Sequence, residues 1–107
     1  MSIITVTDTN FKKEVEESTL PIIIDVYATW CPPCLQMAPI FDELSKEMGE
    51  SYKFIKINVD DARDLSIKLG ASHVPTFIFM KNNEVKGKTQ GYTSKDDFKA
   101  KIKELLG

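Results

Sequence analysis

The fold is decided by one short stretch of the chain, Trp30-Cys31-Pro32-Pro33-Cys34. It follows the run Ile22–Tyr27, which is nearly continuous in apolar residues and therefore typical of a strand covered on both faces. After it, Met37, Phe41 and Leu44 recur at the spacing of one helix face. We expect the two cysteines at the junction between a buried strand and an amphipathic helix.

This junction predicts a specific position for each cysteine. A residue before proline is held in an extended conformation, which suits Cys31 as the N-cap, and Pro32 then fits the first helical position. The positive end of the helix dipole lowers the pKa of the Cys31 thiol and makes it the attacking group. Pro32 and Pro33 remove two N–H donors, so we expect only moderate activation. Cys34, less exposed, is expected to resolve the mixed disulfide.

The cysteine pair has three alternative interpretations. A purely structural disulfide between residues three positions apart would stabilise the fold little, because it closes only a very short loop of the unfolded chain. A structural zinc site needs about four ligands, and the chain adds only one histidine and scattered acids to its two cysteines. An inactive site kept for binding is left open by the residues alone. No metal site is expected.

On both sides of this junction, short apolar runs alternate with helical patterns in the order βαβαβαββα. This order predicts an α/β domain with helices around one sheet. Turn and cap residues mark the predicted boundaries. They are Asp8 as the N-cap of the first helix, Gly49 as a left-handed C-cap, Asn82 and Asn83 as a hairpin turn, and Ser94 as the N-cap of the last helix.

Bulk composition limits the classes of protein. The 107 residues, with 42% hydrophobic side chains, suit one domain spanning 1–107. The net charge of −2, without a basic cluster, argues against nucleic acid or an anionic membrane as partner. The first residues show neither a signal-peptide pattern nor a membrane span, so we expect a cytoplasmic protein with protein partners.

Asp25 is the exception in the apolar run Ile22–Tyr27. An ionised carboxylate is costly in such a strand, and burial is expected to raise its pKa. A partly exposed acid at a strand edge is the alternative interpretation.

Taken together, these motifs resemble the thioredoxin family over essentially the whole chain. The likeness rests on Asp25, the Trp30–Cys34 motif, the stretch Lys56–Asp60, Val74-Pro75-Thr76 and Gly91, in that order. The resemblance implies the thioredoxin fold, a central mixed five-stranded sheet flanked by four helices.

The resemblance also implies roles for these residues. Pro75 is expected to be cis and to expose the backbone of Val74 to a partner strand. Asp25 would exchange a proton with Cys34, and Lys56 would tune the charge of Asp25. The remaining residues expected at the substrate surface are Trp30, Pro32, Pro33, Thr76 and Gly91.

The implied activity is that of a protein-disulfide reductase, an electron carrier in cell redox homeostasis that a thioredoxin reductase regenerates. Its substrates would be proteins containing disulfides; no bound cofactor is expected, and the chain is expected to be a monomer. Alternatives are a disulfide oxidase or isomerase, and a partner-binding subunit without redox activity. Tyr27, where the family often has Trp, changes the surface that a partner meets. For His73, which precedes Val74, a role beside the substrate groove and an exposed loop position without a role remain alternatives.

Overall fold

A mixed five-stranded sheet forms the centre of the computed structural model, which describes residues 3–107. The strand order is β1-β3-β2-β4-β5. The first three strands are parallel, whereas β4 runs antiparallel to both β2 and β5. This confirms the predicted sheet. The strands are β1 (Ile4–Thr5), β2 (Ile22–Tyr27), β3 (Lys53–Asn58), β4 (Thr76–Lys81) and β5 (Glu84–Gln90).

Four helical segments surround the sheet in residues 3–107, and their order along the chain is the predicted one. The three α-helices are α1 (Pro32–Met48), α2 (Arg63–Lys68) and α3 (Lys95–Leu106). The first segment, Lys12–Glu16, is π-helical rather than α-helical. No helix in the described part of the chain has the length and apolar character needed to span a membrane.

The apolar core lies in two layers, one on each face of the sheet. Side chains alternate between the faces along β2, so Ile22 and Ile24 face the layer that includes Leu65 of α2, and Ile23 faces the layer that includes Phe41 of α1. Edge-to-face phenylalanine contacts hold α1 and α3 against the second face; they join Phe41 to Phe54, Phe41 to Phe98 and Phe77 to Phe98. Strand β2 is therefore buried on both faces, as predicted.

Two boundary predictions are confirmed. Asn82 and Asn83 both have positive φ, 53° and 61°, in the turn between β4 and β5. Ser94 is the N-cap of α3, where its hydroxyl accepts a hydrogen bond from the N–H of Asp97.

Two further boundary predictions are wrong. Asp8 lies in a turn and does not cap the first helical segment, because the N–H of Asn10 donates to the carbonyl of Thr7 and the helical segment begins only after Phe11. Gly49 keeps a right-handed φ of −67°, since the carbonyl of Met48 accepts hydrogen bonds from the amides of residues 51 and 52 without a left-handed turn.

Candidate active site at the start of the second helical segment

Cys31 is the N-cap of α1, as the sequence predicts. Its backbone is extended, with φ −103° and ψ 111°, and Pro32 and Pro33 occupy the first two helical positions. The Cys31 sulfur accepts a hydrogen bond from the N–H of Cys34 at 3.2 Å, and its carbonyl accepts one from Leu35 at 3.1 Å. The sulfur atom therefore takes the place of the side-chain oxygen that usually caps a helix.

The two cysteines are joined in a disulfide, with their Cα atoms 5.2 Å apart. Each is 4% exposed, so the expectation that Cys34 is the less accessible residue is wrong for this oxidised form. Both cysteines lie in one small cluster. That cluster contains Ala28, and Tyr27, Val59 and Val74 pack around it.

The segment before β4 lies directly beside the disulfide. Its Val74–Pro75 peptide bond is cis, as the resemblance implies. The carbonyl oxygen of Val74 lies 3.6 Å from the Cys31 sulfur, and among residues 3–107 the N–H of Val74 forms no hydrogen bond. Thr76 begins β4, and its hydroxyl donates to the carbonyl of His73. The segment thus presents free backbone groups next to a sulfur atom.

Gly91 is brought to the same place from the end of β5. Its N–H donates to the carbonyl of Pro75 at 3.0 Å, and its φ of +81° favours glycine. A Cβ built there would have no atom within 4 Å, so the surface is open at this point.

Asp25 is 1% exposed and lies on β2, a central strand, so the alternative of an acid at an exposed edge is wrong. It shares the sheet face of Ile23, which is the face that α1 covers. Burial raises the pKa of Asp25 to about 7, and the positive charge of Lys56 acts in the opposite direction. Within residues 3–107 its Oδ1 atom has no hydrogen-bond partner.

Lys56 lies beside Asp25 in the parallel register of β2 and β3. The residue is half-buried, and its Nζ atom lies 4.7 Å from the centroid of the Tyr27 ring. No ion pair joins Lys56 to Asp25 in the part of the chain that the structure describes. The structure therefore brings Asp25 and Lys56 together without direct contact between their charges.

A groove of about 750 Å³ is bounded by Trp30 and by Val74, whose carbonyl lies beside the Cys31 sulfur. Trp30 forms one wall; it is 66% exposed, and its indole N–H donates to Asp60 at 3.0 Å. Pro32 is exposed and Pro33 half-buried at the neighbouring helix start. The groove is also lined by Arg63, Ile67, His73 and Val74.

Sequence reasoning missed the contribution of α2 to this groove. Arg63 is the only arginine of the chain, and Ile67 is an apolar residue that remains 63% exposed. Leu65 faces the core, and Ile67, two residues further along α2, lies off that buried face. An apolar residue at such a position is a sequence signal for an exposed contact surface.

No group of three or more His, Cys, Asp or Glu side chains in residues 3–107 is arranged to hold a metal ion. His73 pairs through Nδ1 with the hydroxyl of Ser72. The chemistry available at the site is therefore that of the two sulfurs and of the buried carboxyl.

The fold and site define a class of protein: an α/β domain with a Cys-x-x-Cys disulfide at a helix start beside a cis-proline. The family model described as Thioredoxin matches residues 2–104. The "Thioredoxin" of Rickettsia felis is 42% identical over 85% of this chain and 87% of its own length. The "Thioredoxin H4" of Arabidopsis thaliana is 40% identical over 88% of this chain and 78% of its own. The "Thioredoxin" of Pyropia yezoensis is 39% identical over 78% of each chain.

These matches agree with the geometry of the site. The chain belongs to the thioredoxin family.

Proposed function

We propose that this protein is a thiol-disulfide oxidoreductase that reduces disulfides in other proteins through Cys31 and Cys34. The observation that carries the proposal is the N-cap geometry, in which the sulfur of Cys31 accepts the N–H of Cys34 and bonds to its sulfur. A sulfur anion at this position is stabilised by the helix dipole and by that hydrogen bond. The disulfide form is then the state left after one substrate has been reduced, before the dithiol is regenerated.

In the first step the Cys31 thiolate attacks one sulfur of a substrate disulfide. A bond forms between Cys31 and that sulfur, the substrate S–S bond breaks, and the other substrate sulfur leaves as a thiolate that takes a proton from solvent. The N–H of Cys34 holds the attacking sulfur at the helix start. Because Cys31 is the N-cap of α1, the nucleophile is oriented before the substrate arrives.

In the second step Cys34 resolves the mixed disulfide. Its thiol loses a proton, its sulfur attacks that of Cys31, and the substrate leaves with both of its sulfurs reduced. Two electrons have then passed from the dithiol to the substrate. Asp25 is the proton acceptor in this proposal, supported by its burial on the face that α1 covers and by a pKa of about 7. Lys56 tunes that carboxyl by its positive charge.

The substrate lies in the groove along Trp30 and against the segment at Val74. A partner strand can pair with the free N–H and C=O of Val74, which places its cysteine beside Cys31. Pro75 and Thr76 fix the direction of that segment, and Gly91 leaves room for the partner backbone. Pro32 and Pro33 complete the surface at the helix start.

The wider role proposed here follows from that chemistry. A thioredoxin reductase regenerates the dithiol, which makes the protein a carrier in electron transport and cell redox homeostasis. A reducing compartment, the cytoplasm, is consistent with a pair of cysteines unaccompanied by any other in the sequence. The chain acts as one domain over 1–107 and as a monomer, supported by a single sheet with a core on each face.

Trapping the mixed disulfide tests the proposal. Cys34→Ser leaves the attacking sulfur in place and removes the resolving one, so incubation with a disulfide-bonded protein should give a covalent adduct that dithiothreitol releases. Mass spectrometry should locate the link at Cys31. Cys31→Ser is the matched control and should form no adduct through Cys34. Equal adduct formation by both variants, or by neither, would overturn the proposal.

A further inference from the structure

Tyr27, Asp25 and Lys56 lie on one face of the sheet. Asp25 and Tyr27 are two residues apart on β2, and Lys56 pairs in register with Asp25 from β3. The aromatic ring and the carboxyl are therefore both within the reach of one ammonium group.

The ammonium group is found on the ring. Lys56 Nζ lies 4.7 Å from the ring centroid of Tyr27, a distance at which a cation is attracted to the π face. Oδ1 of Asp25, in contrast, has no hydrogen-bond partner among the described residues. Of the two available partners, the carboxyl is the more buried and the ring the more accessible.

The other charged groups around this cluster are few. Lys56 is the charged side chain that acts on Asp25 among residues 3–107. Burial raises the pKa of the Tyr27 hydroxyl, the negative charges of Asp25 and Asp61 raise it further, and a hydrogen bond with Asn58 opposes them. Strand β4 contributes Phe77 opposite Asp25, which brings no charge.

We propose that Tyr27 is a positioning residue: its ring holds the ammonium of Lys56 away from Asp25, so that the carboxyl is kept free of an ion pair. The inference rests on the proposed function, in which Asp25 exchanges a proton with Cys34. Direct contact with an ammonium group would stabilise the charged form of the carboxyl, so that it would lose its proton well below neutral pH. Kept apart from Lys56, Asp25 can both accept and donate near neutral pH.

The test is an NMR titration of the Asp25 carboxyl carbon in the oxidised full-length chain, where no thiol titrates. In Tyr27→Leu the ammonium is free to contact the carboxyl, and we expect the pKa of Asp25 to fall by about one pH unit. Tyr27→Phe keeps the ring and should leave that pKa near its original value. An unchanged or raised pKa in Tyr27→Leu would overturn the inference.

The same substitution made in the Lys56→Met variant distinguishes an effect of the ammonium group on the pKa of Asp25 from an effect of water entering the pocket. In Lys56→Met, adding Tyr27→Leu should no longer lower the pKa of Asp25, since no ammonium remains to approach it. An equal fall in this background would assign the effect to water and contradict the role of Tyr27. Thermal unfolding of each variant checks that the fold is kept.

This titration requires no turnover, so its result is independent of whether the protein reduces disulfides. Where reduction also occurs, the pH profile of Cys34-dependent resolution should move to lower pH in Tyr27→Leu, in parallel with the carboxyl.

Discussion

Helices α1 and α3 begin with the same hydrogen bond. The sulfur of Cys31 accepts the N–H of Cys34 at 3.2 Å, and the hydroxyl of Ser94 accepts the N–H of Asp97 at 3.2 Å. In both caps the N-cap residue is extended, and the donor lies three residues further along.

The surroundings of the two caps differ. Ser94 is exposed, and Asp96 and Asp97 place negative charge in the first turn of α3. The first turn of α1 has no acid, and Cys31 is 4% exposed. At α3 the positive helix end is already balanced by carboxylates, whereas at α1 it remains available to a sulfur anion. The cap geometry is common to both helices, and the chemistry depends on the capping atom and on the absence of competing charge.

Converting one cap into the other gives the largest expected effect. Cys31→Ser makes the start of α1 chemically like that of α3, since a hydroxyl can accept the same N–H. Reduction of a protein disulfide should fall to background, because a serine hydroxyl cannot undergo thiol-disulfide exchange. Circular dichroism should show unchanged helix content. Residual turnover well above background would mean that the N-cap sulfur is not the nucleophile.

The buried acid on the strand that leads into α1 gives the next largest effect. Burial raises the pKa of Asp25 from 3.8 to about 7, so between these values the folded protein binds its proton more tightly than the unfolded chain does. The free energy of unfolding therefore decreases as pH rises through this range and then levels off. Asp25→Asn should remove the decrease and be more stable at pH 8 by up to roughly 4 kcal/mol.

Urea unfolding at pH 4 and pH 8 measures this difference, which should be small at the lower pH.

The same variant should slow resolution by Cys34 about a hundredfold at neutral pH, as expected when a general base is lost. The first attack by Cys31 should be largely intact. Unchanged reduction kinetics across neutral pH would refute the proton-transfer role.

An acid in the first turns of α1 should make it resemble α3 in charge. Leu35 is 61% exposed and lies four residues after Cys31, on the same side of the helix. Leu35→Glu should slow alkylation of reduced Cys31 by about two- to fivefold, because a carboxylate near the helix start disfavours the sulfur anion. Leu35→Gln is the matched control. High salt should reduce the difference between the two variants, and a salt-independent difference would indicate a steric cause.

The smallest effect is expected at the cap of α3. Ser94→Ala removes the acceptor of the Asp97 N–H, and the free energy of unfolding should fall by about 1 kcal/mol. The melting temperature should fall by about 5 °C in a domain of this size, with no change in the rate of disulfide reduction. Ser94→Asp, which retains an acceptor, should keep the stability. A lower reduction rate in Ser94→Ala would mean that the two helix starts are coupled.

Local signals predicted much of this structure. The helix face of Met37, Phe41 and Leu44, the Asn82-Asn83 turn and the position of Cys31 each depend on neighbouring residues, and each was predicted correctly. The predictions for Asp8 and Gly49 are wrong because backbone groups nearby satisfy the hydrogen bonds at these helix ends: the carbonyl of Thr7 accepts the N–H of Asn10, and the carbonyl of Met48 accepts the amides of residues 51 and 52.

Features that depend on contacts between distant segments could not be predicted. The place of Lys56 over Tyr27 depends on the register between β2 and β3, and the groove depends on how α2 packs against the loop at Val74. Pattern and spacing contain no information on that register, and for the groove they offer only an apolar residue, Ile67, off the buried face of α2.

The charged outer strand has a consequence for the behaviour of the protein at high concentration. Strand β5 is an edge of the sheet, and Glu84, Lys86 and Lys88 are exposed along it. Lysines on an edge strand discourage the addition of a foreign strand, and β1 at the opposite edge has only two residues. Aggregation through either margin is thereby disfavoured, while the short backbone segment at Val74 is left to pair with an incoming chain.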